Sequence, residues 1–228
     1  MDNRKQWTQR QDLLRKAFSS KAHFAEAIQL FIEQHANVHT AAISGGETWS
    51  LYDEVMTGLS DAQVKAVPHR GLNSIAWLLW HITRIEDMTI NILVFDQSQV
   101  LFSGGWAARL GLPSPDVGAS MDASEVAGLS AQINVQALQD YRAEVGRRTR
   151  AGALRLQPAQ LKEAVPASAV QQFVEEGSIS QKGLWLFEYY LNRTKGFFLT
   201  RTATSHNFIH LNEAGRVQAI LTKTGSSQ

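Results

Sequence analysis

The sequence predicts an all-α chain, and three observations predict it. Apolar residues recur at helical spacing over long stretches, no stretch sustains the alternation of a strand, and Gly and Pro collect between the stretches. Long helices with apolar seams pack naturally as a four-helix bundle. No internal repeat is present. A length of 228 residues fits one domain, spanning residues 1–228.

The elements follow in order. Residues 10–39 carry Phe24, Ile28, Phe31 and Val38 at helical spacing without Pro or Gly, so they predict a first long helix that stops at Ser44, Gly45 and Gly46. Residues 47–58, with Trp49, Leu51, Tyr52, Val55 and Met56, read as a second piece of that helix closed by Gly58. A turn at Pro68 to Gly71 comes next. Asn73 and Ser74 then offer N-cap oxygens to a second long helix that reaches about Phe95. Residues 96–130 hold Gly104, Gly105, Gly111, Pro113, Pro115 and Gly118, which predicts a long functional loop. Helical spacing returns over 131–156 with Ile133, Leu138, Tyr141 and Val145. Its five arginines (Arg142, Arg147, Arg148, Arg150 and Arg155) read first as a solvated face complementing the helix dipole and second as an anion patch. Residues 157–180 should be short helices and turns around Pro158, Pro166 and Gly177. Two helical stretches, 181–195 and about 198–222, finish the chain.

Composition removes whole classes of function. Lys and Arg number 22 against 21 Asp and Glu, a formal charge of +1 without a basic or acidic block, so no nucleic-acid partner is expected. The absence of Cys excludes disulfides, thiolate metal sites and a cysteine nucleophile, leaving His, Asp and Glu as metal ligands. The first residues are charged and the longest apolar runs, Ile75 to Trp80 and Ile92 to Phe95, are far too short to span a bilayer. A soluble cytoplasmic protein, with no membrane partner, is the expectation.

Histidines carry the chemistry. His206 and His210 lie at i and i+4, so both imidazoles leave one helix face and can hold a single ion. Seven His in 228 residues give roughly 0.2 such pairs by chance, yet His35 and His39 form a second pair, so spacing alone does not decide. The face says more. His206 and His210 share a stripe with Ile209, Glu213, Val217 and Leu221, and an inward imidazole needs a hydrogen bond or an ion. A zincin motif fails because Asn207 stands where the general base would be. His81 lies in the apolar seam of Trp77, Ile85, Met88 and Ile92. Alone it reads as a satisfied core histidine; with His206 and His210 it reads equally as the third ligand of an open site or as a core residue. Glu86 and Glu213 are either ordinary surface carboxylates or groups that orient a ligand or act on a metal-bound water. His35 and His39 read as structural or supporting residues, with a fourth ligand or proton shuttle as the alternative. Trp49, Trp77, Trp80 and Trp185 read as core.

The run Ser74-Ile75-Ala76-Trp77-Leu78-Leu79-Trp80-His81 and the later His206/His210 pair resemble the DinB-like superfamily, also described as damage-inducible or YfiT-like proteins. The resemblance spans most of the chain. It implies a four-helix bundle of up-down-down-up course, homodimerisation, and a divalent metal such as nickel or zinc held by His81, His206 and His210. It further implies a small substrate, with a low-molecular-weight thiol among the partners of some members. The chain departs from the family's usual continuation after the second histidine, reading Leu211-Asn212-Glu213-Ala214. The run Leu30-Phe31-Ile32 exceeds one apolar seam and gives the dimer a second motive.

Two classes of function are consistent with this reading. One is a metal-dependent transferase, isomerase or hydrolase that activates a thiol or water against a small substrate under the 96–130 loop. The other is a non-catalytic metal or small-ligand binding stress-response protein. A proton-accepting group near the open side would favour the enzyme, and a sealed apolar surround the binder.

Overall fold

Ser74 starts the helix around which everything else is arranged. Its hydroxyl accepts the backbone N–H of Trp77 at 2.9 Å, the cap that the sequence suggests. In the computed structural model, which describes residues 2–19, 23–69 and 71–225, the helix so capped runs Ile75–Glu86 and all of its side chains are buried. A helix buried on every side belongs in a core, here with its polar side chains Thr83, Arg84 and Glu86 collected near its end.

The helices are α1 Asn3–Ser19, α2 Phe24–Ala36, α3 Leu51–Met56, α4 Asp61–Lys65, α5 Ile75–Glu86, α6 Trp106–Leu110, α7 Ala123–Gln132, α8 Val135–Ala153, α9 Ala167–Glu175, α10 Trp185–Tyr190, α11 Lys195–Thr200 and α12 His206–Gly225. No strand occurs among the described residues beyond one isolated bridge between Ala164 and Thr194. Helix α5 packs against α4, α7, α8 and α12, and α12 also packs on α3. No helix among the described residues is long and apolar enough to cross a membrane.

Several expectations change. The single helix expected over 10–39 is two helices, α1 beginning earlier at Asn3 and α2 ending at Ala36. They fold back on each other, because the Trp7 indole N–H donates to the Gln34 carbonyl and the Gln34 amide donates to the Trp7 carbonyl. Folding back buries Phe31 and Ile32 with Leu14 and Phe18 inside the chain, so this run has its cover already. Helix α3 is separate from α2, and Gly58 follows it at φ +77°, a left-handed stop. The stretch 96–130 contains α6 and α7 rather than loop alone. Asp122 and Glu125 close a capping box on α7.

The core divides along α5. Residues to Ile82 join Tyr141, Leu211 and Val217, whereas residues from Ile85 onward join Phe31, Phe173 and Phe198. Buried polar groups lie at the junction, namely Thr83, Arg84, Glu86 and Asp87. Arg142, expected on a solvated face, is buried there as well, and it takes hydroxyl, carbonyl and amide oxygens from Thr83, Val38 and Asn207. Trp77 and Trp80 are core, while Trp185, expected as core, is 54% exposed.

Candidate metal centre

Helix α5 supplies His81 and the start of α12 supplies His206 and His210. Each of the three offers a ring nitrogen, and these atoms all lie within 4.8 Å of one another. The ring centroids stand 5.0 Å (His81 to His206), 5.2 Å (His81 to His210) and 4.7 Å (His206 to His210) apart. Trp77, one turn before His81, lies flat on its ring with 5.0 Å between centroids and 3° between planes.

Neighbours fix the tautomers. The Nδ1–H of His81 donates to the Val117 carbonyl at 2.7 Å, since a carbonyl can only accept, and the lone pair is left at Nε2. The segment carrying Val117 is itself strapped to α5. Arg84 donates to the Pro115 carbonyl from Nε and Nη2 at 3.1 and 3.0 Å, and the Trp80 indole N–H donates to the Asp116 carbonyl at 3.1 Å. The part of the long loop around Pro115 to Gly118 is thus a brace for His81. His210 donates from Nδ1 to Glu213 Oε2 at 2.9 Å, and Asn73 approaches the other oxygen of Glu213 at 3.4 Å. His206 keeps its Nδ1 buried without a hydrogen-bond partner.

Burial disfavours the charged form of two of these rings. Burial lowers the His81 imidazolium to about 4, with His210 adding to the effect, and burial drives His206 well below its ordinary value, with His81 and His210 adding to it. The hydrogen bond from His210 holds the Glu213 carboxyl below its ordinary value. Three converging imidazoles, two of them oriented through Nδ1 by Val117 and Glu213, are a donor set that suits a divalent transition ion, and the buried Nδ1 of His206 has no protein partner. The residues present fit a metal.

A second group lies next to the first. Glu86, one and a half turns beyond His81, accepts from His35 Nε2 and His39 Nε2 at 2.9 Å each, from Thr149 Oγ1 at 2.8 Å and from Asn207 Nδ2 at 2.9 Å. His35, His39 and Glu86 are fully buried, and the two imidazoles stack with centroids 4.2 Å apart. Burial lowers both imidazoles, His39 to about 3, against the attraction of Glu86. Burial alone would raise the Glu86 carboxyl, but the two imidazoles facing it outweigh that and hold it well below the carboxylate range. Glu86 is therefore not the surface carboxylate of the bland reading. It holds His35 and His39, and it does not touch the three converging histidines.

Among the other sequence expectations, Ile209 does not face inward with His206 and His210. It is 51% exposed, and Leu211 and Ala214 join the expected Val217 on the inner face. His23 pairs with Glu26 at the surface and belongs to neither cluster, and His69 also lies outside both. Sequence reasoning missed Val117, Asn207 and Arg142. Val117 acts through its backbone and leaves no signal, whereas the burial of Arg142 could have been suspected from its place four residues after Leu138 and three before Val145 on the apolar seam.

A family model for the DinB superfamily matches residues 46–180. The chain belongs to the DinB superfamily. The matched stretch contains His81 and Glu86 and stops short of His206 and His210. The structure of a conserved protein from Enterococcus faecalis is similar to this fold at a TM-score of 0.60 and 17% identity, covering 86% of this chain and 96% of that one. Among curated proteins, none matches.

Proposed function

We propose that this DinB superfamily member is a metal-dependent enzyme acting on a small molecule, with His81, His206 and His210 as the ligands of one divalent transition ion. The observation that carries the reading is the convergence of three imidazoles, two of them with Nδ1 already committed to Val117 and Glu213. Nickel and zinc are the favoured occupants, since imidazole without thiolate suits both. A bound ion would supply Lewis acidity and lower the pKa of a water or thiol at its open position.

The chain's own residues do the rest. Val117 and Glu213 fix two rings, and the brace from Pro115 to Gly118 keeps His81 from turning away. The Glu213 carboxylate, half-buried beside Asn73, is placed to take a proton from a reacting group. Asn73 also lines a cleft of about 450 Å3 with Val67, His69, Leu72, Met121 and Val126, room for a small substrate. Asn73 links this cleft to the Glu213 carboxylate, and that link supports an enzyme over a sealed binder. A low-molecular-weight thiol is the co-substrate this reading favours, and an up-down-down-up bundle paired as a homodimer is its architecture.

Metal analysis followed by thiol titration of a cobalt form tests it. One ion per chain, and a new thiolate-to-cobalt absorption band on adding glutathione, are expected. Protein that takes up no divalent ion would end the reading, and a cobalt spectrum indifferent to thiols would remove the thiol from it.

A further inference from the structure

We propose that Asn207, together with Glu86, is a positioning residue that sets the rotation of α12 so that His206 and His210 both face His81. The proposal rests on the metal reading for its purpose. Its geometry is independent of that reading.

Helix α12 does not begin from a regular helical turn. It emerges from a wide, π-helical turn over Arg201–Ser205, and a second wide segment, Asp87–Val94, follows Glu86 on α5. The two touch, for Thr89 Oγ1 donates to Thr202 Oγ1 at 2.8 Å. Each residue taken up or released by such a turn rotates the helix beyond it by about 100°. Closing the turn by one residue would swing His206 and His210 away from His81.

Asn207 holds the turn open. Its side chain is fully buried and uses both ends. Nδ2 donates to the Thr202 carbonyl inside the turn and to Glu86 Oε2, both at 2.9 Å, and Oδ1 accepts from Arg142 Nη2 at 2.8 Å. From the outer side Gln11 donates to the Thr200 carbonyl and Thr204 Oγ1 at 2.8 Å. Glu86 is the fixed point of this clamp. The ligand atoms of His35, His39 and Glu86 also lie within 4.8 Å of one another, but Thr149 and Asn207 share the same carboxylate, so we read this group as a clamp.

The test compares Asn207→Ala, Glu86→Gln and the milder Thr202→Val with Val170→Ala. Val170 is a fully buried residue of the second core outside both clusters. Cobalt affinity and the cobalt d–d spectrum are read beside Tm, and the ring nitrogen shifts of His206 and His210 are read in metal-free protein. Asn207→Ala and Glu86→Gln should weaken cobalt binding about 10-fold or more, as loss of supporting residues does. Both should alter the d–d spectrum and move both histidines' shifts, with Thr202→Val doing the same to a smaller degree. Val170→Ala should lower Tm with affinity, spectrum and shifts unchanged.

Wild-type affinity and ring shifts in Asn207→Ala and Thr202→Val would overturn the proposal, as would equal effects from Val170→Ala. Two ions per chain, with one lost in His35→Ala, would overturn the clamp reading of Glu86. If wild-type protein takes up no cobalt, the metal reading fails, and unmoved ring shifts in the variants would then overturn the positioning claim separately.

Discussion

His81 Nδ1 donates to the backbone carbonyl of Val117 across 2.7 Å. This bond ties the lone pair of an α5 histidine to a segment 36 residues further along the chain. A backbone acceptor cannot ionise, so the bond sets the same tautomer at every pH at which the ring is neutral. Whatever holds Val117 in place also orients His81 Nε2.

Arg84 is the main strap on that segment, bonded to Pro115, Ser178, Tyr141 and Asp87 while fully buried. Arg84→Ala should cost about 3–5 kcal/mol, because Asp87 is left as a buried charge without its ion pair. It should also weaken zinc binding by about 10-fold through Val117 and His81. Urea unfolding and competition with a chelator measure the two effects, and unchanged zinc affinity would separate the strap from the centre.

Acid should unfold the metal-free protein earlier than its carboxylates alone would. Burial lowers His81 from 6.5 to about 4 and His39 to about 3, so between those values the unfolded chain binds protons that the folded chain does not. Stability is then complete above pH 6.5 and falls as the pH drops below it, by about 2 kcal/mol at pH 5 from His81 alone. Glu86, held low in the fold, adds a further loss below its unfolded value near 4.5. Urea midpoints at pH 8, 6.5, 5.5 and 4.5 should decline over the last two steps; a flat series would contradict neutral buried imidazoles.

Gly146 faces His39 so closely that a Cβ there would lie 2.6 Å from His39 Nδ1 and 2.6 Å from Ile43 Cδ1. The Ile43 tip can turn aside, but the imidazole is pinned by Glu86. Gly146→Ala should therefore destabilise by about 1–3 kcal/mol in spite of alanine's better helix propensity. A denaturation midpoint at or above wild type would show that the clamp has slack.

Light scattering at micromolar concentration should give about twice the 25.3 kDa of one chain if the homodimer of the proposed function is right. A mass near one chain would count against it. The structure removes one motive for pairing, because Phe31 and Ile32 are covered within the chain.

Helix content was legible from periodicity, whereas spacing left the three histidines open between ligands and core residues and the resemblance to the DinB-like superfamily singled them out. Ser74, the seam at His81 and the i, i+4 pair at His206 are local signals, and the long helices brought them together. Other features were not legible, for physical reasons. No Pro or Gly marks the change from α1 to α2, and the wide turns at Asp87–Val94 and Arg201–Ser205 depend on contacts between residues far apart in the chain, such as Asn207 with Glu86 and Thr89 with Thr202. The inward or outward sense of Ile209 changed because a stripe drawn on a long helix is wide enough to include residues at its edge. The box of Asp122 and Glu125 was readable as a helix start and would have placed α7 inside the supposed loop.

The central claim is tested most directly by counting ions in purified protein with single histidines removed. Elemental analysis should find one divalent transition ion per chain in wild type, in His23→Ala and in His69→Ala, and close to none in His81→Ala, His206→Ala and His210→Ala, since two imidazoles hold an ion poorly. Full metal content in His81→Ala, with release in a His35 or His39 variant, would place the ion beside α2 and contradict the account.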